Sequence, residues 1–244
     1  MIVTCGVRRH SPPGIPETQI TTTMAFGKHW EWRGFGDVSQ SFLDRFDRLQ
    51  HAYGPDIVRD WYLWAPGMRT NLKIREGEMG GLKFKRFVAA DGRLSCWQED
   101  PEELFPLPLG REGWQALTAE LFGLGIMLPA YPEEPPHSER LLAMLSGTGL
   151  SRILVEKERM GRQWPGPNGR VLVDYARIKT PQRLTTIGLE SENLGAVGDA
   201  LTDAQAKEDL RAAIEALALA GESLAEMGYM KALALWSSYP ENKI

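Results

Sequence analysis

The stretch His29-Trp30-Glu31-Trp32-Arg33 alternates between tryptophans on one side and a histidine, a carboxylate and a guanidinium on the other. Successive side chains of a β-strand point to opposite faces, so this alternation predicts a strand. Its apolar face suits packing under helices. Its ionisable face is either exposed to solvent or the lining of a polar interior.

Charged residues recur at the same two-residue spacing on other predicted strands, where residues i and i+2 share a face. The basic pairs are Lys73 with Arg75, Lys83 with Lys85, and Lys157 with Arg159, and an acidic pair is Glu190 with Glu192. A solvated sheet face is the ordinary explanation of such pairs. If the sheet instead curls with its apolar residues outward under helices, the charged residues line a barrel with a polar lumen.

Six basic side chains enclosed in a narrow lumen require a counter-charge, because unpaired buried charges are strongly destabilising. A polyanion would supply it, but the carboxylates of the same lumen would repel that anion unless divalent cations bridged the two. Mg²⁺ prefers a few carboxylate oxygens together with substrate phosphate oxygens. The residues therefore indicate a metal-dependent polyphosphate site.

Composition excludes several other classes of protein. The 244 residues are 43% hydrophobic and 25% charged, and the formal net charge is −4, so no global positive field favours a nucleic-acid duplex or an anionic membrane as partner. Cys5 and Cys96 are too few and too far apart for a disulfide framework or a thiolate zinc site. No apolar run is long enough for a membrane span. We expect a cytoplasmic protein, and the sequence does not define its oligomeric state.

Hydrophobic periodicity and turn residues predict an α+β protein with a mostly antiparallel sheet. Residues 1–24 are predicted to be a mobile lead-in, with Met24 as an alternative start, and residues 25–244 a single domain. Predicted helices are Ser39 to Tyr53, Arg111 to Leu124, Ser138 to about Gly147, and Thr202 to Met227. Predicted strands are His29 to Arg33, Trp61 to Trp64, Leu72 to Arg75, Leu82 to Val88, Arg93 to Trp97, Ile153 to Arg159, Val171 to Ile178, and Thr185 to Glu192.

The order of the charged motifs resembles the triphosphate tunnel metalloenzyme family, also called the CYTH superfamily. The stretch at residues 29–33 resembles the family's ExExK strand, Leu72-Lys73-Ile74-Arg75 its LRxR strand, and Leu82-Lys83-Phe84-Lys85 its LxxK strand. Lys157-Glu158-Arg159 resembles its KxR strand, Asp174 its later aspartate, and Glu190-Ser191-Glu192 its ExE strand. The order holds from about residue 28 to residue 235, and each motif alone is weak.

This resemblance implies an eight-stranded antiparallel β-barrel, a tunnel with helices packed outside, which binds a small-molecule triphosphate with Mg²⁺ or Mn²⁺. It assigns phosphate contacts to the basic residues Arg33, Lys73, Arg75, Lys83, Lys85, Lys157 and Arg159. It assigns metal binding to Glu31, Glu190 and Glu192, with His29, Glu99 and Asp174 as further candidates. Lys85 and Glu31 are the catalytic candidates. The implied function is hydrolysis of a triphosphate such as tripolyphosphate, a nucleoside triphosphate or thiamine triphosphate.

The sequence departs from the family pattern at two positions. His29 stands where the first glutamate of ExExK is usual, and the acidic pair that follows the LxxK strand reads Cys96-Trp97-Gln98-Glu99-Asp100. A histidine removes one negative charge and suits Mg²⁺ less well than a carboxylate. Three alternatives follow: adenylate-cyclase chemistry on ATP, a non-catalytic polyphosphate- or nucleotide-binding module, and an α+β scaffold whose tryptophans and charges form a protein interface.

Overall fold

The structure is a computed structural model, and it describes residues 27–77, 80–99, 104–191 and 201–239. The predicted lead-in at residues 1–24 and the predicted metal ligand Glu192 lie outside the described residues. None of the helices within these ranges is long and apolar enough to cross a membrane.

Eight antiparallel strands close into a barrel in the order β1, β5, β4, β3, β2, β7, β8, β9, with β9 paired back onto β1. They are β1 (Gly27–Asp37), β2 (Gln50–Trp64), β3 (Thr70–Arg75), β4 (Gly81–Asp91), β5 (Leu94–Glu99), β7 (Ser151–Pro165), β8 (Arg170–Thr180) and β9 (Leu184–Ser191). Two short strands extend the sheet: β6 (Leu104–Pro106) pairs with β4, and β10 (Ser223–Glu226) pairs with β1. The predicted α+β class and the eight-stranded barrel are confirmed.

The described ranges contain five α-helices, which pack outside the charged part of the barrel interior. They are α1 (Gln40–Asp47), α2 (Arg111–Phe122), α3 (Ser138–Met144), α4 (Asp203–Ala216) and α5 (Tyr229–Trp236). Two of them are capped as their sequences predict. Ser39 accepts a hydrogen bond from the Phe42 amide at the start of α1, and Thr202 with Gln205 forms a capping box at the start of α4.

The apolar faces of the strands pack outward under these helices and form two cores. In the first, Trp30 and Trp32 of β1 are buried with α4 residues such as Leu210 and with Phe42 and Phe46 of α1. In the second, the outward leucines, isoleucine and phenylalanine of β2, β3 and β4 are buried under α2 and α3. Because side chains alternate along each strand, burying the apolar face outside directs the charged face into the barrel.

Helix α5 covers one end of the barrel. Tyr229, at its first residue, stacks on Tyr62 with ring centroids 5.2 Å apart and meets Phe35 edge-on at 5.3 Å. Trp236 and the inward aliphatic side chains of β7 complete this cluster. The lumen is therefore lined by apolar and aromatic residues at the α5 end and by charged residues beyond it.

Two predicted helices end earlier than their sequences indicate. The helix predicted from Ser39 to Tyr53 ends at Asp47, and the chain enters β2 at Gln50, because Tyr53 contacts the lumen and the strand runs on through Gly54-Pro55. The helix predicted from Thr202 to Met227 ends at Ala216, because Ala218 adopts a left-handed conformation (φ 52°). The segment that follows forms β10 on the edge of β1.

Candidate functional site

The charged side chains predicted to share a lumen do contact one another there. Those in the described part of the chain are seven basic residues and five carboxylates, and most form ion pairs within one strand or between neighbouring strands. The basic residues are Arg33, Lys73, Arg75, Lys83, Lys85, Lys157 and Arg159, and the carboxylates are Glu31, Asp60, Glu99, Asp174 and Glu190. Although the whole chain carries a net charge of −4, the described residues of this lumen include more basic than acidic side chains.

Asp60 of β2 holds the basic pair of β3. Its two carboxylate oxygens accept hydrogen bonds from Arg75 Nε at 2.8 Å and Nη2 at 3.0 Å, and from Lys73 Nζ at 3.1 Å. Asp60 is fully buried. Burial alone would raise the pKa of this carboxyl, but the charges of Lys73 and Arg75 outweigh it and hold the pKa well below its usual range. Lys73 and Arg75 are therefore oriented by a permanent anion.

Glu31 of β1 occupies the centre of a second group. Its Oε1 accepts a hydrogen bond from Arg33 Nε at 2.6 Å, and its Oε2 accepts one from Lys85 Nζ at 2.6 Å. Against the effect of burial, these two cations hold the pKa of Glu31 below its usual range. The carboxylates around Lys85 raise its pKa although burial opposes them, so both partners stay ionised at neutral pH.

Glu99 and Glu190 extend this group on either side of Lys85. Glu99 forms ion pairs with Lys83 Nζ at 2.5 Å and with Lys85 Nζ at 3.5 Å. Burial alone would raise the pKa of Glu99, but the charges of Lys85 and Lys83 outweigh it and lower that pKa to about 2. Glu190 lies 3.4 Å from Arg33 Nη2 and 3.8 Å from Lys85 Nζ. Its contacts are the longest in the group, so Glu190 is the carboxylate most available to another cation.

Gly188 makes room for the Arg33 side chain. It lies opposite Arg33 in the pairing of β1 with β9, and a β-carbon there would come within 2.6 Å of the guanidinium. Arg33 uses this space to reach Asp174 at 3.8 Å and the Thr186 hydroxyl at 3.5 Å, besides Glu31. A side chain at residue 188 would displace the guanidinium from these partners.

Asp174 of β8 forms a third group with Arg159 and Tyr53. Arg159 Nε lies 3.1 Å from Asp174 Oδ1, and the Tyr53 hydroxyl donates to the same oxygen at 2.5 Å. Arg159 also contacts the Tyr53 hydroxyl and lies over its ring. Burial would raise the pKa of Asp174, but Arg159 together with Lys157 and Arg33 lowers it. Asp174 is therefore an ionised carboxylate that orients Arg159 and Tyr53.

Lys157 differs from the other basic residues of the lumen. It is 4% exposed, and its Nζ donates to the Tyr229 hydroxyl at 3.2 Å and lies 5.2 Å from the centroid of that ring. Within the described part of the chain it forms no ion pair with a carboxylate. A buried cation whose nearest partners are a phenol and an aromatic face has unused capacity to bind an anion.

The residues fit a divalent cation at one position. One donor atom each from His29, Glu31 and Glu190 lies within 4.8 Å of the other two. His29 is fully buried, and its Nε2 has no hydrogen-bond partner among the described residues. Burial, followed by the charge of Lys85, lowers the pKa of His29, so the ring is neutral and Nε2 can serve as a ligand. Two carboxylates and an orphaned nitrogen form a chemically suitable donor set.

The structure brings the predicted site residues together and adds further residues to their surroundings. All the predicted site residues that the structure describes lie in the lumen, while Glu192 is outside the described residues and stays a prediction. Of the predicted metal ligands, Glu99 and Asp174 bind protein cations and are not in the cluster with His29. Sequence reasoning missed Asp60, Tyr53 and Tyr229. The two-residue spacing of Asp60 and Tyr62 was an available signal that both face the lumen, whereas Tyr53 was predicted to belong to a helix.

Comparison with solved structures supports the fold. The chain is similar to a conserved hypothetical protein from Pyrococcus furiosus, with a TM-score of 0.50 and 15% identity over 83% of this chain and 98% of the other. A Pyrococcus horikoshii protein aligns over 84% of this chain and 98% of its own, at 10% identity and a TM-score of 0.46. A Bacillus halodurans protein provisionally assigned as an adenylate cyclase aligns over 83% and 95%, at 12% identity and a TM-score of 0.39. No protein-family profile and no curated protein matches the sequence.

Proposed function

We propose that this protein is a divalent-metal-dependent phosphohydrolase that acts on a triphosphate, as the resemblance of its motifs to the triphosphate tunnel metalloenzymes implies. The observation that carries the proposal is the excess of basic over acidic side chains among the described residues of the lumen, where Lys157 is buried and forms no ion pair with a described carboxylate. A bound polyanion would compensate this excess. The barrel, closed by the pairing of β9 with β1, supplies the enclosure in which such contacts are strong.

A triphosphate matches the distribution of the basic groups better than a single phosphate does. Lys73 and Arg75 project from β3, Lys83 and Lys85 from β4, and Lys157 and Arg159 from β7, so the basic pairs approach the lumen from different parts of its wall. Several phosphoryl groups in line can each meet a different pair. Guanidinium groups bind phosphate oxygens through two donors and lysines bind them as point charges.

The chain's own residues account for binding and charge neutralisation. Arg75 and Arg159, held in place by Asp60 and Asp174, present oriented guanidinium groups, and Lys157 adds an ammonium that forms no ion pair with a described carboxylate. Lys85, which pairs with Glu31, Glu99 and Glu190, would neutralise charge that develops on the transferring phosphoryl group. A metal ion bound by Glu31 and Glu190 would act as a Lewis acid on phosphate oxygens.

The proposed reaction is hydrolysis of the terminal phosphoanhydride. The oxygen of water bonds to the terminal phosphorus, and the bond between that phosphorus and its bridging oxygen breaks. The bridging oxygen leaves with the remaining diphosphate group, which is free diphosphate from tripolyphosphate, ADP from ATP or thiamine diphosphate from thiamine triphosphate. One proton of the water is released to solvent with the products. In-line attack requires the two phosphates flanking the broken bond to be held at the same time, which the separate basic pairs permit.

The test is phosphate release from tripolyphosphate, ATP and thiamine triphosphate by the full chain with Mg²⁺ or Mn²⁺. We expect release from at least one substrate and a loss of at least tenfold in Glu190→Gln. Glu156→Gln is the matched control, because Glu156 pairs with Lys179 and Arg59 on the outer face of the barrel. Its activity should be unchanged.

The same assay separates the alternatives. Cyclic AMP and diphosphate from ATP would show cyclase chemistry and contradict the hydrolase. Absence of turnover with both metals would contradict an enzyme, and calorimetry with tripolyphosphate would then show whether the lumen only binds. Failure to bind any triphosphate would contradict the proposal altogether and favour a protein-interface role.

A further inference from the structure

His29 places an imidazole nitrogen among the carboxylates of the lumen. It comes from the same face of β1 as Glu31, and Glu31 pairs with Glu190 across the β1–β9 ladder. His29 is fully buried, and one donor atom from each of the three residues lies within 4.8 Å of the other two. Buried histidines normally satisfy both ring nitrogens, so an unsatisfied nitrogen at such a position requires a physical explanation.

The contacts of the imidazole direct its lone pair into this cluster. Nδ1 lies 3.4 Å from the Gly27 carbonyl oxygen, and a carbonyl can only accept a hydrogen bond, so Nδ1 carries the hydrogen in this contact. Nε2 is then the nitrogen with the free lone pair, and it has no partner in the described part of the chain. A ring oriented by a backbone carbonyl through one nitrogen, with the other free, is the usual arrangement of a metal-binding histidine.

We propose that His29, Glu31 and Glu190 bind a first-row transition-metal ion such as Mn²⁺ in preference to Mg²⁺. Imidazole nitrogen is a borderline ligand that transition-metal ions accept readily, while Mg²⁺ prefers oxygen ligands and gives up its water reluctantly. The inference deepens the proposed function by naming the class of ion at the same site. It rests on the three side chains and not on turnover.

Lys85 and the metal ion would compete for the Glu31 carboxylate. Its ammonium lies 2.6 Å from Glu31 Oε2, the oxygen that does not contact Arg33. A second carboxylate, Glu99, lies 3.5 Å from the same ammonium, so Lys85 can turn to Glu99 when a divalent ion binds Glu31. A lysine side chain is long and flexible, which allows this exchange without moving β4. Ion binding therefore does not leave the Lys85 charge without a partner.

Metal binding to the full chain, without a triphosphate and with any polyhistidine tag removed, tests the inference. Calorimetric titrations should show Mn²⁺ binding at least tenfold more tightly than Mg²⁺. In His29→Glu, which replaces the nitrogen by a carboxylate oxygen, that ratio should fall at least fivefold. His137→Gln, a change of an exposed histidine before α3, is the matched control and should keep the wild-type ratio.

Pulsed electron paramagnetic resonance of bound Mn²⁺ adds a readout independent of protein stability. We expect modulation from a directly coordinated nitrogen in the wild-type protein and its loss in His29→Gln. Equal affinities for Mn²⁺ and Mg²⁺, or bound Mn²⁺ without nitrogen modulation in the wild-type protein, would overturn the inference. Mn²⁺ bound through nitrogen by a protein that hydrolyses no triphosphate would contradict the proposed function and leave this inference standing.

Discussion

Arg75 binds both oxygens of the fully buried Asp60, with Nε 2.8 Å from Oδ1 and Nη2 3.0 Å from Oδ2. The carboxylate thus fixes the plane of a guanidinium that reaches the lumen from the neighbouring strand. An arginine held in this way loses little further conformational freedom when it binds an anion.

Asp60→Asn should lower the free energy of unfolding by about 3–5 kcal/mol, because it leaves two enclosed cations without their anion. Added tripolyphosphate should raise the melting temperature of this variant more than that of the wild-type protein, since the polyanion replaces the missing charge. Denaturant unfolding and thermal melts measure both effects. In the control Asp203→Asn, which breaks an exposed pair with Lys28, the loss should be below about 1 kcal/mol. Equal losses in the two variants would contradict the role given to Asp60.

Lys157→Met should weaken tripolyphosphate binding by about tenfold to a hundredfold, the equivalent of one hydrogen bond to a charged group. It should cost less stability than Asp60→Asn, because Lys157 forms no direct ion pair with a described carboxylate and acts on Asp174 and Asp60 only through its charge. Calorimetry measures the affinity, and Lys179→Met on the outer face is the control, since Lys179 is half exposed and pairs with Glu156. Unchanged affinity in Lys157→Met would exclude the ammonium from the anion site.

Acid should unfold the protein through the lumen carboxylates. The pKa values of Glu31, Asp60 and Asp174 are held below their usual range by cations that outweigh burial, and the pKa of Glu99 is lowered to about 2 in the same way. Their contribution to stability is fully present above the unfolded values of about 3.9 and 4.3 and is lost as pH falls through the folded values. We therefore expect the free energy of unfolding to decrease progressively below about pH 5. Urea titrations between pH 7 and pH 2 test this, and a flat profile would contradict it.

Gly161→Ala should displace Tyr53 from Asp174 and Arg159. A β-carbon at residue 161 would lie 2.3 Å from the Tyr53 ring, far below a van der Waals contact, so the ring must move. We expect a loss of about 1–3 kcal/mol of stability, as for other overpacked sites, and a change in tyrosine near-ultraviolet circular dichroism. Gly123→Ala, at the right-handed end of α2 with its nearest contact at 3.5 Å, should be neutral or slightly stabilising. Identical behaviour of the two variants would argue against the Tyr53 contact.

The alternating strands were the predictable part of this fold. Trp30 and Trp32 alternate with Glu31 and Arg33 in a way that only a strand with two unlike sides explains, and the structure places the tryptophans outside under α4. The lumen charges follow from the same two-residue period. Local sequence patterns therefore predict the barrel and much of its lining.

The remaining parts depend on contacts distant in sequence. Phe42, Phe46 and Leu49 have helical spacing, and nothing local shows that Tyr53 belongs to a strand whose partner is β7. Likewise, no pattern near Asp60 predicts that it holds Lys73 and Arg75 across a strand pair. No local pattern predicts the contacts of Tyr229 either, since its partners Tyr62 and Lys157 are far away in the chain.

Because α5 packs against the inward side chains at one end of the barrel, it closes that end of the described lumen. A long polyphosphate could not pass through the closed end, so only its terminus could reach Lys157 beside Tyr229. The hydrolysis proposed above would then shorten a long polyphosphate from its end and would not cut it internally.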